Sequence, residues 1–101
     1  EVISTVTNGS VYKSSSDVAI VKINSVTGNL IFCSYYGGND ADDVEELKVD
    51  NGKVYVALKT ESTDLPVTNS TTFKGANDLS FAKFDGNTGN IIWATYGDFG
   101  Q

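Results

Sequence analysis

The sequence predicts an all-β chain built from a repeated set of antiparallel strands. Three observations predict it. Val, Ile, Thr, Tyr and Phe gather in short runs, and these residue types suit a pleated, half-buried surface. Gly, Asn and Asp fall between the runs, where turns need them. The chain also resembles itself at an offset of 61 residues: Asp17-Val-Ala-Ile-Val-Lys22 returns as Asp78-Leu-Ser-Phe-Ala-Lys83. At the same offset and without a gap, Thr27–Phe32 meets Thr88–Trp93, Tyr35 meets Tyr96, Val6-Thr7-Asn8 meets Val67-Thr68-Asn69, and Lys13 meets Lys74.

The elements follow in order. Val18–Asn24 and its counterpart Leu79–Asp85 are apolar on both faces, the pattern of strands buried between sheets. Asn24–Asn29 and Asp85–Asn90 read as hairpin loops, leading into return strands at Leu30–Tyr36 and Ile91–Tyr96. Asp43–Val49 and Lys53–Lys59 are two further strands, joined through Asp50-Asn51-Gly52. Asn-Gly between alternating runs is the strongest short-range hairpin signal. A long connection from Thr60 to Asn77 is expected on the surface. Residues 1–35 therefore repeat as 62–96, and residues 36–61 occur once. Residues 43–101 hold a complete four-stranded unit, and residues 1–42 hold the last two strands of another. Four antiparallel strands repeated along a chain are the mark of a β-propeller blade. A blade buries its faces only against neighbours, about four to eight of which make a ring. The chain is thus expected to belong to a longer array or to assemble with other copies. Its start at Glu1, without Met, is expected to be a cut end.

Composition excludes several classes of function. With 101 residues the chain is at most one ordinary domain. It is 40% hydrophobic and 20% charged, which fits a folded domain rather than a disordered tail. All seven basic residues are lysine against 13 acidic ones, for a net charge of −6, and there is no Arg, His or Met. Without His there is no Ser-His-Asp triad, no Cys-His pair and no His-ligated metal. An acidic chain without Arg is a poor ligand for nucleic acid. The sole cysteine, Cys33, excludes an internal disulfide and a multi-cysteine metal site. No apolar run approaches the ~18 residues that a membrane-spanning helix needs. No catalytic residue set is predicted, and the chain is not expected to be an enzyme.

Asp50-Asn-Gly-Lys-Val-Tyr-Val-Ala-Leu-Lys-Thr-Glu-Ser-Thr-Asp-Leu-Pro-Val-Thr68 resembles the bacterial β-propeller repeat family abbreviated SBBP. Tyr35-Tyr-Gly-Gly-Asn-Asp-Ala-Asp-Asp43 is similar to that family's Tyr-Leu-Gly-Gly segment. Asp17–Ile23 and Asp78–Phe84 are similar to its Asp-Ala-Phe-Val-x-Lys strand. Leu58 and Leu65 depart from the pattern, which there has Gly and Phe. Asp85-Gly-Asn-Thr-Gly-Asn-Ile-Ile-Trp93 is also similar to the Thr-Gly-x-x-x-Trp docking motif of quinoprotein propellers. The first resemblance implies an extracytoplasmic protein with structural or binding work. Its implied partners are neighbouring blades, in the same longer chain or in other copies.

Six acidic residues crowd between Asp40 and Asp50. Within that stretch Asn39, Asp40, Asp42 and Asp43 form a candidate Ca²⁺ loop, because Ca²⁺ takes six to eight oxygen ligands. The plainer reading is a solvated loop entering a strand, with no metal or other cofactor. Asn8-Gly9-Ser10 and Asn69-Ser70-Thr71 are N-glycosylation sequons related by the 61-residue offset. Asn8 and Asn69 are the candidate acceptors. Cys33 aligns with Ala94 and is expected to pack as a small apolar residue. Lys22 and Lys83 are expected to snorkel at a strand edge. Phe32 and Trp93 are expected to pack against a neighbouring unit. Asp17 and Asp78 are expected to make turn hydrogen bonds.

Three functions compete. The first is an extracellular or cell-surface propeller segment that scaffolds, binds a protein or builds a larger assembly or filament. The second is a carbohydrate-binding module that closes by oligomerisation, which requires exposed aromatics such as Tyr36, Phe73 or Phe99 to lie together. The third, least favoured, is an enzyme of quinoprotein-like or lyase type.

Overall fold

The computed structural model describes residues 7, 8, 10, 17–75 and 78–97. Six strands form in chain order: β1 Val18–Ile23, β2 Leu30–Tyr36, β3 Asp42–Asp50, β4 Lys53–Thr60, β5 Asp78–Asp85 and β6 Ile91–Tyr96. They make two antiparallel sheets, one of β1 and β2 and one in the order β3-β4-β5-β6. No helix occurs among the described residues, so none is long and apolar enough to cross a membrane. Neither sheet closes on itself. β1 ends at Ile23, one residue earlier than the apolar run suggests, because Asn24 turns its side chain to the loop. β3, β4 and β5 each gain polar end residues (Asp42 and Asp50, Thr60, Asp78) whose backbones continue the ladder.

The turns form for local reasons. Asn51 and Gly52 both take positive φ, 50° and 74°, as a two-residue hairpin with the right-handed strand twist requires. The β5–β6 turn is organised by Asp85, whose Oδ1 accepts from Asn87 N at 2.7 Å and Thr88 N at 3.1 Å. The β1–β2 turn uses Asn24 in the same way, accepting from Val26 N at 2.8 Å and Thr27 N at 3.0 Å. Gly28 and Gly89 close these two turns, each with φ of 76°.

Residues directly opposite in the ladder share a face, so the register sorts the side chains. On the inner face of the four-stranded sheet lie Val54, Val56, Leu58 and Thr60 of β4, with Phe84, Ala82, Ser80 and Asp78 of β5 opposite them. Ala94 and Tyr96 extend the row on β6. The β1–β2 hairpin lays Val18, Ile20, Phe32 and Tyr36 on this face, and together these residues form the core. Tyr36 meets Phe84 edge to face at 5.5 Å. Lys22 Nζ donates to Gly86 O at 2.6 Å, so its charged end caps the β5–β6 turn rather than simply reaching solvent. A Cβ on Gly89 would sit 2.6 Å from Phe32 Cδ1, so the ring rests on a glycine that nothing larger could replace.

Two expectations are corrected. β1 is not buried on both faces: Val18 and Ile20 are buried, but Val21 and Ile23 are 51% and 57% exposed. The hairpin has the large sheet on one side only. The connection from Thr60 is not a simple surface loop either. Ser62 and Leu65 are buried, and residues 68–71 bind along β6.

Candidate functional site

The most organised polar cluster sits where β3 begins and β4 ends, at one end of the inner face. Asp42 and Thr60 are paired across the strands, and both are buried. Thr60 Oγ1 donates to Asp42 Oδ1 at 2.6 Å and accepts from Ser62 N at 2.9 Å. Gly38 N donates to Asp42 Oδ2 at 3.1 Å, and the Ser62 hydroxyl lies 3.0 Å from Oδ1. Burial pushes the Asp42 carboxyl above the ordinary aspartate value. The hydroxyl and amide donors pull the other way, and nearby Asp17 adds to the rise. Tyr96 continues the network: its hydroxyl donates to Ser62 O at 2.7 Å and accepts from Leu65 N at 3.0 Å. Burial also pushes the Tyr96 and Tyr36 hydroxyls above their ordinary range. Tyr36 donates to Pro66 O at 2.8 Å. Phenols held in this way act as fixed hydrogen-bond donors and pin the crossing loop to the core.

The Gly37-Gly38 pair permits this packing. A Cβ on Gly37 would lie 2.5 Å from Asp17 Oδ1 and 2.8 Å from Asp42 Oδ2. A Cβ on Gly38 would collide with the Asp64 carboxylate. Asp64 Oδ1 accepts from Asn39 N at 2.7 Å, and Asn39 Nδ2 donates to Thr63 Oγ1 at 3.0 Å.

The Ca²⁺ candidates are not brought together. Asn39 is engaged with Thr63, and Asp40 accepts from Ala41 N at 2.8 Å. Asp42 points into the core, while Asp43 pairs with Lys59 on the opposite face. Among the described residues, no group of three or more His, Cys, Asp or Glu converges as a metal site.

The sequon residues act as strand clamps. Asn69 Nδ2 donates to Thr95 Oγ1 at 2.9 Å, and Thr71 Oγ1 accepts from Tyr96 N at 3.0 Å. Earlier by 61 residues, Asn8 Nδ2 donates to Ser34 Oγ at 2.9 Å, and Ser10 Oγ accepts from Tyr35 N at 2.7 Å. Thr68 and Thr7 likewise each bridge the backbone of one strand residue. Thr68 N donates to Ala94 O at 2.9 Å, and Thr7 N donates to Cys33 O at 3.0 Å. Asn69 is exposed and Asn8 half-buried.

The remaining candidates divide. Cys33 is a buried free thiol. Asp78 is fully buried and accepts from Lys74 N at 2.6 Å, the turn contact expected of it. Lys83 Nζ lies 5.4 Å from the Tyr55 ring centroid. Phe32 and Trp93, equivalent in sequence, have opposite surroundings: Phe32 is 2% exposed and Trp93 39%. Tyr36 is buried, so it is not an exposed aromatic, and Phe73 packs on Tyr96 at 6.3 Å. Phe99 lies outside the described residues. Sequence reasoning missed Thr60 and Ser62. Thr60 could have been found, because it stands on the apolar alternation of β4 after Val54, Val56 and Leu58. Ser62 carries no local signal. No protein family, curated protein or solved structure matches the chain.

Proposed function

We propose that this chain is a segment of an extracellular β-propeller with a structural or binding role, not an enzyme. One observation carries the reading. The hairpin β1–β2 and the pair β5–β6 hold matching clamps and matching turns at a 61-residue offset, and β1–β2 lies face to face on the sheet that contains β5–β6. That is how successive blades stack. The resemblance of Asp50–Thr68 to the SBBP repeat supports the same reading. On this reading Asp42, Thr60, Ser62 and Tyr96 are framework. They fix the crossing loop so that each unit presents a stiff face to the next. The glycan-binding alternative lacks Tyr36 as a stacking platform.

Electron microscopy of the natively isolated protein tests the proposal. Class averages are expected to show a ring of radially arranged sheets around a central channel. An open or linear particle without that ring would overturn the propeller reading.

A further inference from the structure

The four-stranded sheet has a second face. Glu46 and Lys48 of β3, Tyr55 and Ala57 of β4, Phe81 and Lys83 of β5, and Trp93 of β6 share it by register. A shallow groove of about 190 Å³ runs across it, walled by Tyr55, Ala57, Phe81 and Trp93. No described element of the chain lies on this face. Its β5–β6 half is nonetheless equivalent, residue by residue, to a face whose packing is visible. Ile20, Lys22 and Phe32 correspond to Phe81, Lys83 and Trp93 at the 61-residue offset.

That visible packing states what such a face takes. Phe32 lies on Gly89 of a β-turn, and Lys22 Nζ donates to Gly86 O of the same turn. The shifted counterparts of Gly89 and Gly86 are Gly28 and Ser25, in the β1–β2 turn. Gly28 has the same φ of 76° as Gly89, but a Cβ placed on it would meet nothing within 4 Å. Beside it, the outer side of the hairpin exposes Val21, Ile23 and Ile31. One chain therefore carries both halves of a second contact, and the two halves point away from each other.

We infer that the outer face of β3–β6 docks onto the outer face of the β1–β2 hairpin of a second copy of this chain. Trp93 takes the place over Gly28 that Phe32 takes over Gly89. Lys83 leaves the Tyr55 ring and donates to Ser25 O of that copy. The contact is heterologous, so copies add head to tail rather than in a closed pair. The inference rests on the repeat reading only through the 61-residue equivalence, and it does not need a ring.

The sole tryptophan is at the centre of the contact and reports on it. In sedimentation velocity at about 150 mM salt, where surface charges more than ~8 Å apart are screened, the chain is expected to form species beyond a dimer as its concentration rises. Trp93 emission is expected to move to shorter wavelength over the same range. Trp93→Glu and Val21→Glu each remove one half, and each variant alone is expected to stay monomeric. Mixed, they retain one intact contact and are expected to form a 1:1 dimer that grows no further. Both side chains are exposed, and unchanged thermal melts establish that the variants fold. Trp93→Ala and Val21→Ser replace any variant that does not. A wild-type chain that remains monomeric at about 1 mM, a generous limit for a weak interface, overturns the inference. So does an outcome in which the Trp93 variant loses association while the Val21 variant keeps it, which marks an isologous contact. A linear particle in the microscope removes the ring and leaves this contact standing. A monomeric chain removes the contact and leaves the ring standing.

Discussion

Asp42 and Tyr96 show how single side chains hold this molecule together. The Tyr96 hydroxyl links Ser62 O to Leu65 N inside the protein. Tyr96→Phe leaves a buried carbonyl and a buried amide without that partner. It is expected to cost about 1–3 kcal/mol of stability, measured by denaturant unfolding. Asp42 has a pH signature. Its carboxyl is raised by burial, so the folded chain holds the proton more tightly than the unfolded chain does. The stability that this group contributes is complete below the ordinary aspartate range and is lost as pH rises through the folded value. Between the ordinary range and neutrality, the wild-type unfolding midpoint is therefore expected to fall as pH rises, and Asp42→Asn is expected to flatten that segment. Asp85 acts in the opposite sense and lower on the scale. Amide hydrogen bonds from Asn87 and Thr88 lower its carboxyl, and its contribution is lost as pH falls through that lowered value.

The two glycine-closed turns look alike as elements but differ in surroundings. Gly28 and Gly89 share a φ of 76°, which costs most other residues, alanine included, about 1–2 kcal/mol. Gly89 also carries the Phe32 ring. Gly89→Ala is accordingly expected to lower stability more than Gly28→Ala, a comparison that paired thermal melts decide. The clamps explain why Asn-x-Ser/Thr occurs twice, bound once along β2 and once along β6. The Asn amide and the hydroxyl two residues on each bond to that strand, through Ser34 or Thr95 and through Tyr35 N or Tyr96 N. Strand placement was legible to within a residue or two, because alternation and turn residues act locally. The acidic run was less legible. Its residues are neighbours in sequence, but the pleat sends Asp42 inward and Asp43 outward.

At the scale of the whole molecule, one sheet lies on another, and no described element covers the outer face of the larger sheet. Phe32 and Trp93 measure the difference. Phe32→Ala is expected to cost about 3–5 kcal/mol through the cavity that it leaves. Trp93→Ala, at the equivalent position, is expected to change the unfolding midpoint of the monomer little. The sequence by itself determined the all-β class, the hairpins, the 61-residue equivalence and the absence of His and Arg chemistry. These are set by residue type and spacing, which act within a few residues of the chain. Only the tertiary structure decided which of two equivalent aromatics is buried and which equivalent lysine caps a turn. It also decided that Thr60 and Ser62, distant from any motif, would surround Asp42. Equivalent sequences give equivalent strands, but burial belongs to pairs of surfaces. It depends on what lies across the interface, which the equivalence of two segments in sequence does not encode.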